Sequence, residues 1–210
     1  MKIAVIGASG KAGSRILKEA LDRGHEVTAI VRDRAKVTEN GVSVVEKDIL
    51  SLTAADLNGY EVVVNAFAAP MGQEQLHVEA GQVLIQALQG TSTRLIVVGG
   101  AGSLYADEAQ TILVKDTPGF PDFVFPTADN QSKNLNDLKS SANLSWTFIS
   151  PSAEFALGQR TGSYQLGKDN LLVNSQGKSY VSYEDYAVAV VDEIEKPQHV
   201  NARFTVVSEG

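Results

Sequence analysis

Short apolar, β-branched runs alternate along this chain with stretches whose apolar positions recur at helical spacing. Residues 2–6, 26–31, 42–45, 62–65, 95–98 and 147–149 read as strands, near-continuously apolar as strands covered on both faces are. Between them, Ile16, Leu17, Ala20 and Leu21 mark one helix, which Gly24 would end as a C′ residue. Val78, Val83, Leu84, Ala87 and Leu88 mark a second helix ending near Gly90, and Leu135, Leu138 and Ala142 a third. This alternation predicts an α/β fold with a doubly wound parallel sheet. After Pro151 the rhythm changes: "RTGSYQLGKDNLLVNSQGKSYVSYEDYA" is rich in Gly, Ser and Asn, with short β-like pieces. A helix over 183–195 and a strand over 202–207 close the pattern. The chain reads as a single domain over 1–210, with about 151–200 forming a small C-terminal substrate-side lobe. The segment 99–126 shows no period, and a loop of that length in a compact domain is usually functional or mobile.

Composition narrows the chemistry. The 210 residues are 43% hydrophobic, which suits a globular domain with one sizeable core. Cysteine is absent, so disulfides, thiolate nucleophiles and cysteine-bound metals are excluded. The three histidines, His25, His77 and His199, have no metal-ligand spacing, so no metal site is expected. Net charge is -7, from 18 basic and 25 acidic residues, which disfavours nucleic acid and anionic membranes as partners. No apolar run is long enough to span a bilayer, and Lys2 precedes a run broken at Gly7 rather than a secretory signal. A cytoplasmic monomer or homodimer acting on a small molecule is the expectation.

The most informative stretch is "MKIAVIGASGKAGSRILKEALDRGHEVTAIVRD". Gly7, Gly10 and Gly13 lie between a strand and a helix, the context a dinucleotide-binding loop requires. Gly7 permits a sharp exit from the strand, Gly10 lets a diphosphate approach the backbone, and Gly13 lets the helix pack closely on the sheet. Free amides at the helix start then face the anion. A plain strand–turn–helix corner would use glycine too, but this context favours a Rossmann-type nucleotide site. A phosphate P-loop is disfavoured because Ala12, not Ser or Thr, follows Lys11. Where an NAD enzyme carries an acid after the second strand, this chain has Arg32 and Arg34, candidates for a 2′-phosphate and NADP(H) over NAD(H); Asp33 between them complicates the assignment, and a solvated charge cluster is the alternative. Asp48 follows the third strand, as an adenine contact or a turn cap. "NAFAAP" places Asn65, Ala66, Phe67, Ala68 and Ala69 where the ligand crevice should lie.

With these motifs placed, the chain resembles the atypical short-chain dehydrogenase/reductase superfamily, and within it the small NAD(P)-binding NADH-flavin reductase family related to biliverdin-IXβ reductase/flavin reductase. The matching segments run nearly end to end: "KIAVIGASGKAGSRI", "GHEVTAIVRD", "KDIL", "VVVNAFAAP", "LIVVGGAGSL", "LSWTFISPSAEF", "YVSYEDYAVAVVDEIEKPQH" and "RFTVV". The resemblance implies a Rossmann fold that binds NADPH or NADH with the substrate over the nicotinamide. It assigns Gly7, Ala8, Ser9, Gly10, Lys11, Ala12 and Gly13 to the pyrophosphate and Arg32 to the adenosine ribose. It assigns Asp48 and Ile49 to adenine, and Ala66, Phe67 and Ala68 to the central ribose. Gly100 and Ser103 fall beside the nicotinamide, with Pro151 at the cofactor and Ser152 and Phe155 at the substrate.

The departures matter as much. Classical members use Tyr-x-x-x-Lys as an acid/base pair. The only such spacing, Tyr164 to Lys168, lies in the Gly-rich section and reads as coincidence. In the expected helix "DNQSK" supplies Lys133, a candidate ribose ligand, but puts Asp129 where the tyrosine belongs. Hydride transfer is mainly a matter of positioning, and a flavin or quinone can take its proton from water. The chain is therefore read as an NAD(P)H-dependent oxidoreductase for a flavin, quinone or similar small aromatic acceptor, with flavin a substrate rather than a prosthetic group and Ser103 the one catalytic hydrogen bond. A non-catalytic NADP(H)-binding redox sensor fits the missing tyrosine as well. A sugar-nucleotide epimerase, which needs that tyrosine, ranks last.

Overall fold

The structure, a computed structural model, describes residues 1–209. Its frame is an eight-stranded sheet. The strands are β1 (Lys2–Ile6), β2 (Glu26–Val31), β3 (Ser43–Glu46), β4 (Val62–Asn65), β5 (Arg94–Val98), β6 (Ser145–Ser150), β8 (Tyr164–Gly167) and β10 (Ala202–Ser208). Their order across the sheet is β3-β2-β1-β4-β5-β6-β10-β8. All neighbours are parallel except the last pair, where β8 runs antiparallel to β10. Two further strands, β7 (Glu154–Ala156) and β9 (Tyr180–Ser182), form a parallel ribbon beside the sheet. The helices are α1 (Lys11–Asp22), α2 (Ala54–Leu57), α3 (Leu76–Leu88), α4 (Phe125–Ser140) and α5 (Tyr183–Glu195).

The strand period of two assigns each side chain to a layer. Ile3 and Val5 of β1 join Ile16, Leu17, Tyr186, Val190 and Phe204 in the core under α1 and α5. Ala4 and Ile6 join Leu84, Leu88, Leu135 and Phe148 under α3 and α4. Fully burying each Leu, Ile or Val contributes about 1.5–3 kcal/mol, so these two cores hold the sheet rigid. The ends of α1 show the local logic. Gly24 takes φ +81° after the helix, its N–H donates to Leu21 O and that of His25 to Ala20 O, a Schellman stop. At the start of α5 the Ser182 hydroxyl accepts from the Asp185 N–H at 2.9 Å.

Two expectations change. The third helix begins at Phe125, well before Leu135, because its first half, "FPTADNQSKN", is too polar to show a period. The 99–126 stretch is shorter as a loop than read, and carries turns at Ala101–Ser103 and Val114–Asp116. The segment after Pro151 contributes to both sheets: β8 extends the main sheet while β7 and β9 pair apart from it. Strand order reverses between β1 and β4, so a crevice opens at their carboxyl ends, the usual ligand position in such sheets.

Candidate functional site: two cavities on one strand edge

The glycine corner closes on itself through the backbone. Gly7, at φ +74°, donates its N–H to Ile30 O at 3.0 Å, and Gly10 donates to Gly7 O at 2.9 Å. A Cβ on Gly7 would lie 2.6 Å from Ala66 O, and one on Gly13 would lie 2.2 Å from Gly7 O. Neither position accepts a side chain, so helix α1 starts hard against the crevice. Gly10 caps α1 without a side-chain oxygen, and the first-turn amides of Lys11, Ala12 and Gly13 have no carbonyl in the preceding turn. Ser9, Gly10 and Lys11 are exposed. This backbone cradle, kept open by missing Cβ atoms, fits a dinucleotide's diphosphate.

From the corner a cavity of about 300 Å³ runs toward β2, lined by Gly7, Arg32, Asp33, Lys36, Lys47, Ile49 and Ala66–Ala68 among others. Arg32 is in this wall. Arg34 is not: its Nη2 donates to Val44 O at 2.9 Å, on the side of β3. Asp33 is largely used locally, its carboxylate accepting from the Ala35 N–H at 3.0 Å and lying 3.7 Å from Lys36 Nζ. Asp48 also caps a turn, accepting from the Leu50 N–H at 2.9 Å, while its neighbours Lys47 and Ile49 form the wall. The sequence reading missed Lys36 and Lys47. Behind the Phe67–Ala69 loop stands His77, whose Nε2 lies 3.4 Å from the donating Ala69 N–H and whose ring meets Phe67 edge-on at 5.9 Å. Burial pushes the His77 pKa down, which keeps the ring neutral and able to accept that bond.

A second cavity, of about 390 Å³, lies at the carboxyl ends of β5 and β6, lined by Gly100, Val114, Phe120, Val124, Thr127, Gln131, Pro151 and Phe155 among others. The "GGAG" stretch shapes it. A Cβ on Gly99 would lie 2.1 Å from the Phe148 ring, one on Gly100 2.1 Å from Gln131 Oε1, and one on Gly102 2.6 Å from Ala128 Cβ. Gln131 is thus pressed over Gly100, a placement no local sequence signal announces. Phe155 leans on Tyr183 and Tyr186 at 4.2 and 4.7 Å.

Several expected site groups are turned away from this cavity. Ser103 is buried, and its hydroxyl accepts from Arg203 Nη1 at 3.3 Å; the same nitrogen reaches Ser103 O and Ser150 Oγ, and Arg203 pairs with Asp169 at 2.6 Å. Ser103, expected to supply the one catalytic hydrogen bond, is thus not among the residues lining this cavity. The Ser152 hydroxyl donates to Val206 O at 2.9 Å, so the cavity meets this residue without that proton. Lys133 is exposed and pairs with Asp129 at 2.8 Å. Asp129, in the tyrosine's place, also lies 3.4 Å from Lys115. The hydrogen bond from Lys133, reinforced by both lysine charges, lowers its pKa, so it stays ionised and offers no proton. Tyr164 lies on the edge strand β8, hydrogen-bonded to Asp192 of α5, and burial followed by that carboxylate raises its pKa. It is no acid for this crevice.

Another depression, of about 910 Å³, is at the opposite strand edge, lined by Met1, Tyr60, Arg94, Pro197 and Val200 among others. It shares nothing with the glycine corner. Among the described residues, no group of three His, Asp or Glu side chains is arranged to hold a metal ion, and no helix is long and apolar enough to cross a membrane.

Comparison with known proteins agrees with this geometry. The model of a family described as NAD(P)H-binding matches residues 7–197. The uncharacterized protein YwnB of Bacillus subtilis is 61% identical over 212 residues, covering 100% of both chains. A crystal structure from Streptococcus pneumoniae, described as "a putative NADH-flavin reductase", superposes with a TM-score of 0.93 at 44% identity, covering 99% of each chain. An Escherichia coli Anaerobillin Reductase, at 17% identity and a TM-score of 0.79, shares the fold over 99% of this chain and 97% of its own.

Proposed function

Because the chain belongs to the NAD(P)H-binding family, of the atypical short-chain dehydrogenase/reductase type, we propose that it is an oxidoreductase that passes reducing equivalents from NADPH to a small aromatic acceptor of the flavin or quinone class. The observation that carries the reading is the placement of two unlike cavities on one strand edge. The first has a backbone anion cradle and cationic walls, and the second is apolar.

In this reading Gly7, Ala8, Ser9, Gly10, Lys11, Ala12 and Gly13 hold the diphosphate. Ile49 and the Ala66–Ala68 loop enclose the adenosine and central ribose, with His77 fixing that loop from behind. Arg32 and Lys36 receive a 2′-phosphate, which supports NADPH over NADH; Lys47 is paired with Asp56 at 2.7 Å and shapes the wall. Gly100 and Pro151 line the path from the cofactor to the acceptor. When bound, the reduced nicotinamide supplies a hydride, two electrons with one proton, which the flavin or quinone ring accepts while taking a second proton from water, leaving NADP⁺ and the reduced ring. The protein's part is to bind, align and exclude solvent. Ionised Asp129 and the sequestered Ser103 hydroxyl support a site without a strong general acid, and so an acceptor that needs none. A reducing cytoplasm, which supplies NADPH, is the location this reading assigns.

The same missing acid also supports a second reading, a redox sensor that binds NADP(H) without turnover. An NADPH-oxidation screen of purified protein against FMN, FAD, riboflavin and quinones separates the two. Turnover above the protein-free rate is expected; NADPH binding with no turnover on any acceptor transfers the case to the sensor.

A further inference from the structure

We infer that the β5/β6 cavity admits only an uncharged planar ring, so that the acceptor enters by a neutral quinone or flavin ring face and any anionic substituent stays outside. The inference rests on the reductase reading and specifies its substrate. The cavity wall, among the described residues, contains no ionisable side chain. Cations of the neighbouring segments are paired with carboxylates: Lys115 with Asp116 and Asp129 at 3.0 and 3.4 Å, Lys133 with Asp129, and Arg203 with Asp169. The lip is aromatic, with Phe120 edge-on to Phe125 at 6.5 Å; the charges beside it are the exposed Asp122 and the half-buried Lys115, whose Nζ lies 5.2 Å over the Phe125 ring and is paired with Asp116 and Asp129. An anion on the ring would lose water here without gaining a partner, whereas an uncharged ring gains apolar contact.

Polarity in the wall is confined to neutral groups. With the Ser152 hydroxyl already donating to Val206 O, the side chains left to a ligand are Thr127 and the Gln131 amide. Gln131 offers both a donor and an acceptor, which matches the carbonyl oxygens of a quinone and the alternating carbonyl and N–H edge of a flavin. The contrast is with the nucleotide cavity, whose wall includes the charged side chains Arg32, Asp33, Lys36 and Lys47.

The test compares matched acceptors on the intact protein. Binding of 2-methyl-1,4-naphthoquinone, 1,4-naphthoquinone-2-sulfonate, riboflavin and FMN is measured by calorimetry with 1,4,5,6-tetrahydro-NADP saturating, whose nicotinamide ring is uncharged and transfers no hydride, and kcat/KM with NADPH. The sulfonate withdraws electrons and makes its ring an intrinsically better hydride acceptor, so a poorer rate cannot arise from the chemistry. The absence of cysteine removes thiol adducts as a complication. The neutral quinone should exceed the sulfonate by about tenfold or more in both readouts. FMN should show no gain over riboflavin. Val124→Lys, which puts a cation in the half-buried lip, should recover much of the sulfonate's loss. Gln131→Leu should weaken acceptor binding about tenfold with NADPH affinity kept. Equal or tighter sulfonate binding with normal turnover overturns this inference and leaves the reductase reading intact. NADPH binding with no acceptor bound or reduced overturns the reductase reading, and this inference with it.

Discussion

Gly13→Ala adds one methyl group at the tightest point of the nucleotide corner. The new Cβ would lie 2.2 Å from Gly7 O, 2.9 Å from Gly7 C and 3.1 Å from Ala8 Cα. All three are backbone atoms, held by the Gly7-to-Ile30 bond and by β1 in the sheet centre, so no side chain can swing aside. Helix α1 must back away from the loop instead. Overpacking of this kind costs about 1–3 kcal/mol. For a chain of this size each kcal/mol lowers Tm by about 2–4 °C, so a fall of roughly 2–12 °C is expected. The displaced amides also leave the diphosphate, so NADPH affinity should drop by more than tenfold in calorimetry. Gly24→Ala is the control. Its Cβ meets open space, and the cost is the αL backbone alone, about 1–2 kcal/mol at the far end of α1. That variant should lose stability while keeping its NADPH affinity. Wild-type Tm and affinity in Gly13→Ala would refute the idea that the corner is closed by backbone contact.

Three further outcomes follow from the same geometry. Arg32→Ala should weaken NADPH about ten- to a hundredfold in calorimetry, the scale of one charge-assisted hydrogen bond, with little change for NADH; equal losses would remove Arg32 from the 2′-phosphate. His77 is held neutral by burial, with the nearby Glu74 charge opposing more weakly, so below about pH 6.5 the unfolded chain binds the extra proton and stability falls. Unfolding curves should show a decline from about pH 6.5 downward that His77→Gln reduces and a flat response above it; identical profiles would show that His77 is not the source. Ser103→Ala removes an acceptor from Arg203 rather than a proton donor from the ring, so turnover should fall by no more than about tenfold, and complete inactivation with NADPH binding intact would contradict this.

The parts of the site that could be read in advance were those encoded locally. Gly7, Gly10 and Gly13 announce the corner because strand, turn and helix follow one another within a dozen residues, and Gly24 announces the helix stop for the same reason. What stayed hidden depends on distant partners. Nothing around Ser103 reveals that Arg203, 100 residues away, takes its hydroxyl. Gln131 gains its place only by packing over Gly100, which "GGAG" suggests as a crowded spot without naming the neighbour. The start of α4 was illegible because its exposed polar half shows no period. β8 was illegible because a four-residue strand at a sheet edge is defined by its pairing with β10, not by its own composition. Arg34 and Asp48 illustrate the reverse case: the right residue types near the crevice, diverted by a carbonyl of β3 and by a turn amide.

Calorimetric titration of the folded protein with NADPH, beside NADH and 2′-phosphoadenosine, tests the central claim most directly. Saturable binding at one site per chain, tighter for NADPH than NADH and weakened by Gly13→Ala, is the predicted result. Absence of heat with both reduced coenzymes, on protein whose unfolding transition is intact, would contradict the assignment of the glycine corner as a diphosphate cradle.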